Sequence, residues 1–186
     1  SLLSGHIGGG NQLTLEIAAK LNSCPVSTTA TDVQNVTALD LLSKELNGWY
    51  ADFKETTKRV NRLLAEHQAV GLIQRGNWVR DLRGLSLLKE GDSFNSYEAV
   101  LLISDKREEL ESEKIIQIVP RRYVLGIGAK KGIDFSIIKE EYLAFCQSIN
   151  IHFRSIKKIV SIDIKQQEAG ICQLAEWLEI PFETYT

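Results

Sequence analysis

Apolar and polar positions along this chain alternate in a way that predicts three successive strand–helix stretches. In the first, Leu2-Leu3 closes a strand, residues 12–21 carry helical periodicity, and residues 25–31 read as a short strand. A helix from Val36 or Thr37 to Leu46 follows, with Leu39, Leu42 and Leu46 on one face and Asn47-Gly48 as its stop. The second stretch opens with a helix over residues 51–68, where Phe53, Val60, Leu63 and Leu64 fall at helical spacing. Three short apolar runs rich in β-branched residues, 69–73, 99–103 and 115–119, read as strands. Between the first two, residues 76–97 are polar and punctuated by glycine, with only weak strand or turn signals. The third stretch starts with a buried strand over 123–128 and a helix from Phe135 to about Ser148. Asp134 is that helix's N-cap, and Ile137, Ile138, Tyr142, Leu143 and Phe145 are its inward side chains. A strand over 156–164, a helix over 168–178 and a strand over 181–185 complete the pattern.

Repetition of this kind predicts an α/β protein: successive small three-layer domains with mainly parallel sheets and helices on both faces. The expected divisions are residues 1–49, 50–121 and 122–186. Ligands of open parallel sheets bind beyond the carboxyl ends of the strands. The Gly5–Gly10 turn, residues 28–32, the Gly126–Gly132 turn and residues 161–163 all fall at such ends.

Composition narrows the function classes. A hydrophobic share of 44% with 25% charged residues suits a globular chain with a real core. No apolar run approaches the roughly 18 residues of a membrane span, and the scattered cysteines suit a cytoplasmic protein. A net charge of −2 gives no reason to expect a nucleic-acid partner. Cys24, Cys146 and Cys172 are widely spaced beside apolar positions and read as reduced, buried thiols. His6, His67 and His152 stand far apart with no Cys/His pair at ligand spacing, so no protein-built metal site is expected. Trp49, Trp78 and Trp177 read as core packing. The chain lacks methionine, begins inside an apparent strand and stops just after another, and so reads as an excerpt of a longer protein.

The richest chemistry lies in Ser4-Gly5-His6-Ile7-Gly8-Gly9-Gly10-Asn11-Gln12. A glycine turn between a strand and a helix N-terminus bares backbone N–H groups beside a partial positive charge, which makes an anion cradle. His6 adds a group able to move a proton near neutral pH. A glycine triplet can also be only a tight turn. The hydroxyl-rich Thr28-Thr29-Ala30-Thr31-Asp32 at the next strand end favours the cradle, since hydroxyls and helix-terminal amides together hold carboxylates. Gly126-Ile127-Gly128-Ala129-Lys130-Lys131-Gly132 is one residue too long for the dinucleotide fingerprint. Asn150, Ile151 and His152 stand where an acid should meet a ribose, which argues against a dinucleotide. Lys130 and Lys131 are either solvated charges or a second contact for acidic groups. Asp163, Lys165 and Glu168 sit near a strand end and a helix start, where a carboxylate often only caps the helix.

These motifs resemble the cobalamin biosynthesis protein G family. The glycine segment with Pro25-Val26-Ser27-Thr28-Thr29-Ala30-Thr31-Asp32 is similar to its N-terminal signature. Tyr123-Val124-Leu125-Gly126-Ile127-Gly128-Ala129-Lys130-Lys131-Gly132 resembles the opening of its C-terminal domain, and Ser161-Ile162-Asp163-Ile164-Lys165-Gln166-Gln167-Glu168-Ala169-Gly170 a later motif there. The resemblance implies the cobalt-precorrin-5A hydrolase step of anaerobic vitamin B12 synthesis. In that step the ring A δ-lactone of a cobalt-corrinoid is opened and acetaldehyde is released. It implies no cofactor of the protein's own, because the cobalt arrives in the substrate. For that chemistry the expected roles are His6 as general base and then acid, with Gly5, Gly8, Gly9, Gly10, Asn11, Thr28, Thr29, Thr31, Lys131, Lys165 and Glu168 binding substrate. Homo-oligomers and transient contacts with neighbouring pathway enzymes stay open. A non-catalytic corrinoid-binding or carrier module is the competing class, and a nucleotide-binding signalling domain is a more distant one.

Overall fold

The structure, a computed structural model, describes residues 10–26, 31, 34–89, 91–110 and 112–186, the side chains of residues 10–12 excepted. The run after the glycines winds into helix α1 (Gly10–Lys20), as its periodicity predicts. Its Leu13, Leu15 and Ile17 are exposed, and Ala18 is buried. Pro25 and Val26 form no strand, and residues 27–30 of the strand expected there lie outside the described residues.

Two compact units follow from how the described chain packs: one of residues up to Ile103 with Leu110–Ile118, the other of Ser104–Glu109 with Val119–Thr186. The first holds helices α2 (Leu39–Leu46) and α3 (Phe53–Ala65) and a five-stranded sheet. Its strands are β1 (Gly48–Trp49), β2 (Val70–Gln74), β3 (Leu85–Leu87), β4 (Ala99–Ile103) and β5 (Ile115–Pro120), in the order β1-β5-β4-β2-β3. The β2–β3, β2–β4 and β4–β5 pairs are parallel. Strand β4 is buried along its whole length, which is why it reads as an unbroken apolar run. Leu39, Leu42, Val60 and Leu64 from the helices meet Val70, Leu72, Leu101, Ile103 and Ile118 from the sheet in one core.

Helix α2 stops where expected: Asn47 takes the left-handed conformation (φ 46°) and its N–H caps the last turn. Its start is satisfied from far away. Ala38 offers no side-chain cap, and buried Asn61 on α3 instead accepts from the Leu39 N–H at 2.8 Å while donating to Asp40 Oδ1 at 2.9 Å. Tyr50 is buried beside them with its hydroxyl 2.6 Å from Thr57 Oγ1, and burial pushes its pKa up to about 12.

The second unit is a three-stranded parallel sheet, β6 (Tyr123–Gly126), β7 (Ile156–Ile162) and β8 (Phe182–Tyr185) in that spatial order, with helices α4 (Phe135–Ser148) and α5 (Ala169–Leu178). The buried residues of both helices share one core against this sheet, as consecutive right-handed crossovers in one direction would arrange them. Ile138, Tyr142 and Cys146 of α4 and Ile171, Leu174 and Leu178 of α5 close on Ile156 and Ile159 there. On the other face Val124, Ile162 and Tyr185 are exposed among the described residues. Asp134 caps α4 as expected, accepting from the Ser136 N–H at 2.7 Å; the Ser136 hydroxyl, donating at 2.6 Å, and then this N–H hold its carboxyl below the usual range.

Two expectations are corrected here. Ile137, Leu143 and Phe145 are exposed, because α4 rests on the sheet along the narrower line of Ile138, Tyr142 and Cys146. Of the three cysteines, all free, Cys146 is buried, Cys172 is half-buried and Cys24 is exposed.

Segment 104–109 is stitched into the second unit. The His152 N–H donates to the Asp105 carbonyl at 2.9 Å, and the Tyr123 hydroxyl donates to Asp105 Oδ2 at 2.7 Å. His152 itself stacks on Phe153 and accepts the Arg154 N–H at Nδ1, 3.1 Å away. Burial first, and then the Arg154 charge, pushes its pKa down to about 4. Because the unfolded histidine titrates near 6.5, the unfolded chain binds more protons between pH 6.5 and 4. Stability is therefore expected to fall as pH drops through that window, by up to about 3 kcal/mol from this residue. Urea unfolding of wild type and His152→Gln at pH 7 and pH 4.5 measures it: the substitution flattens the slope, and parallel profiles refute the assignment.

Candidate functional site

At the carboxyl ends of β6 and β7 the chain turns through Gly126–Gly132 and the short 3-10 turn Asp163–Lys165. The parallel ladder continues past β6, with the Ile127 N–H donating to the Val160 carbonyl at 3.0 Å. The Ser161 hydroxyl then donates to the Ile127 carbonyl at 2.7 Å and pins the start of the glycine loop.

Its far end is held by an acid from another element. Glu168, the residue before α5, is 8% exposed and accepts the Gly132 N–H at Oε1, 2.7 Å away. Gly132 has φ +74°, a conformation that glycine adopts without strain. Glu168 Oε2 lies 3.5 Å from Lys165 Nζ. The structure thus joins Lys165, Glu168 and the 126–132 loop, whereas Lys131 is exposed on that loop. What Glu168 touches here is backbone and a lysine, which makes it a positioning residue for the loop.

Close approach of α5 to this loop depends on Gly170. A Cβ there would lie 2.6 Å from the Ile133 carbonyl oxygen and 2.9 Å from Ile138 Cδ1. Beyond the strand ends opens a cavity of about 450 Å³, mostly apolar, lined by Gly126–Ala129, Val160–Ile162, Lys165 and Tyr185.

A polar group that sequence reasoning missed borders it. On the exposed sheet face Lys158 Nζ lies 2.6 Å from Glu183 Oε2, and the Tyr185 hydroxyl donates to the same oxygen at 2.6 Å. These bonds raise the lysine's pKa and lower the glutamate's. Neighbouring strands bring the three together across more than twenty residues of sequence, so no local motif announces them.

At the N-terminal motif, Gly10 opens α1 and Asn11 lies in its first turn, where backbone amides have no intrahelical acceptor. Thr31 is buried, and its carbonyl accepts the Val36 N–H at 3.1 Å. Gly5, His6, Gly8, Gly9, Thr28 and Thr29 lie outside the described residues. No helix of the described residues is long and apolar enough to cross a membrane.

The fold is that of an α/β protein with mainly parallel sheets, and the candidate site of its second unit lies at the carboxyl ends of parallel strands. Three family models match the chain in succession: Cobalamin synthesis G N-terminal over residues 1–32, Cobalamin biosynthesis central region over 37–120, and Cobalamin synthesis G C-terminus over 123–186. A protein from Salmonella typhimurium named cobalt-precorrin-5A hydrolase is 34% identical over 193 residues, covering 100% of this chain and 55% of the relative. A protein of the same name from Priestia megaterium is 28% identical over 188 residues, covering 94% and 50%. A solved structure of a cobalamin biosynthesis protein G homolog from Sulfolobus solfataricus aligns at 16% identity with a TM-score of 0.38, covering 96% of this chain and 50% of that one. The chain belongs to the cobalamin biosynthesis G family. It spans about half the length of the curated relatives it matches.

Proposed function

We propose that this chain is part of a cytoplasmic cobalt-precorrin-5A hydrolase, which opens the ring A δ-lactone of a cobalt-corrinoid intermediate and releases acetaldehyde. The observation that carries this reading is the unbroken order of three family matches along residues 1–32, 37–120 and 123–186. The likeness to the named Salmonella hydrolase supports it.

In this reading His6 takes a proton from a water molecule whose oxygen adds to the lactone carbonyl carbon. Backbone amides of the Gly8–Gly10 turn stabilise the oxyanion that forms. The acyl C–O bond then breaks, and His6 returns the proton to the departing alkoxide. The hydroxyl on the carbon bearing the methyl group then gives up its proton as its C–O bond becomes C=O, the bond of that carbon to ring A breaks, and acetaldehyde leaves with the electron pair of the broken bond staying on the macrocycle. Gly5, Gly8, Gly9, Gly10, Asn11, Thr28, Thr29 and Thr31 hold the substrate's carboxylates. Lys131 and Lys165 add cations, and Glu168 keeps the 126–132 loop in place. Cobalt enters with the substrate.

Incubating the full-length protein with cobalt-precorrin-5A and trapping acetaldehyde with a reduced-nicotinamide assay tests the proposal. One acetaldehyde per lactone opened is expected. Stoichiometric binding with the lactone intact overturns it and favours a corrinoid carrier.

A further inference from the structure

Among the described residues, glycines divide into two kinds. Gly170 is needed by the fold, since a Cβ there would lie 2.6 Å from the Ile133 carbonyl oxygen, which is backbone; at Gly71 the 2.6 Å neighbour is Leu88 Cδ1, a side-chain tip that can shift. Gly132 needs its positive φ. Gly126 and Gly128 need neither: a Cβ at each meets nothing within 4 Å, and neither has a positive φ. Glycine loses more conformational freedom on folding than any other residue, so the fold by itself gives no reason for glycine at these two positions.

Both positions line the cavity beyond β6 and β7. Its walls are apolar at Ile127, Val160 and Ile162. Lys165, whose side chain is 15% exposed, supplies a cation, and Tyr185 supplies a ring whose hydroxyl is anchored on Glu183. The surrounding backbone is already fixed by the Ser161–Ile127 and Gly132–Glu168 bonds, so a ligand would order little on arrival.

We propose that Gly126 and Gly128 are kept bare for a ligand: the cavity seats the apolar edge of a flat macrocycle, with a carboxylate of that edge on Lys165. The proposal deepens the corrinoid reading above and rests on it for the class of ring. A cavity of about 450 Å³ holds part of such a ring and leaves the rest for other groups to grip. A side chain at either glycine would compete with the ring for the same space while touching nothing in the protein.

The test uses the full-length protein with uroporphyrin I, a flat macrocycle bearing eight carboxylates and no lactone, and with its octamethyl ester, followed by Soret absorbance. Gly126→Val and Gly128→Val are expected to keep the wild-type unfolding midpoint and to weaken uroporphyrin binding about tenfold or more. Lys165→Gln is expected to weaken binding of the acid but not of the ester. Loss of the fold in the glycine variants, wild-type affinity in them, or no uroporphyrin binding by the wild type would each overturn the proposal. Uroporphyrin cannot release acetaldehyde, so the two readings fail separately. Acetaldehyde release with unimpaired glycine variants sinks only the cavity assignment. Glycine-dependent binding without acetaldehyde release sinks only the hydrolase.

Discussion

Replacing His6 with alanine is expected to lower acetaldehyde release from cobalt-precorrin-5A by about 10²–10⁴-fold, the usual contribution of a positioned general base or acid. Lactone opening demands a proton removed from water and a proton delivered to an alkoxide within one turnover. An imidazole near its ordinary pKa has both forms available at neutral pH. Lysine, with its high ordinary pKa, and aspartate, with its low one, each favour a single form there. The loss should fall on kcat with KM nearly unchanged, since in the proposed mechanism the carboxylates are assigned to glycine-turn amides and threonine hydroxyls rather than to the histidine. Single-turnover kinetics with full-length wild type and His6→Ala separates the two parameters. Undiminished turnover in the variant removes His6 from the mechanism.

Gly170→Ala is expected to destabilise the second unit by about 2–4 kcal/mol, against the usual direction for such a change inside a helix. Alanine ordinarily strengthens a helix by reducing the freedom of the unfolded chain. Here the new methyl would sit 2.6 Å from the Ile133 carbonyl oxygen and 2.9 Å from Ile138 Cδ1. Ile138 can shift its tip; the carbonyl is backbone between the 126–132 loop and the start of α4 and can yield only if that segment moves. Helix α5 must then back away from the core it shares with Ile138 and Ile159. Urea denaturation measures the loss, and hydrogen exchange at the Gly132 amide reports whether its bond to Glu168 goes with it. A variant as stable as wild type would mean that the α5 contact is not as close as described.

Strands and caps were legible where the signal is local. The apolar run at 99–103 coincides with β4, because a strand buried on both faces cannot alternate. The Asp134 cap and the Asn47 stop follow from side-chain and backbone preferences that act within a few residues. Strands β1 and β3 were not legible. Gly48–Trp49 lies directly after a helix stop, and Leu85–Leu87 sits in a polar stretch, its pairing with Val70–Leu72 made by backbone groups that side-chain pattern does not record. The inward face of α4 was read too widely, since periodicity marks an apolar side without saying how much of it a three-stranded sheet can cover.

Of the candidate site, the glycine loop, Lys165 and Glu168 were visible as motifs, and their placement at strand ends followed from the α/β pattern. Their connection was not. That Glu168 spends one oxygen on the Gly132 amide, that Lys158, Glu183 and Tyr185 converge, and that Gly126 and Gly128 face empty space are all matters of three-dimensional distance.

Residue order alone thus determined the alternation of strands and helices, most of their ends, the family motifs and the Gly126–Gly132 turn, because each depends on chemistry within a turn or two of chain. The folded structure decided which helix face is covered, and that Asn61 caps a helix twenty-two residues away. It also decided which glycines the protein itself requires, because burial and clash arise only when distant segments compete for the same space.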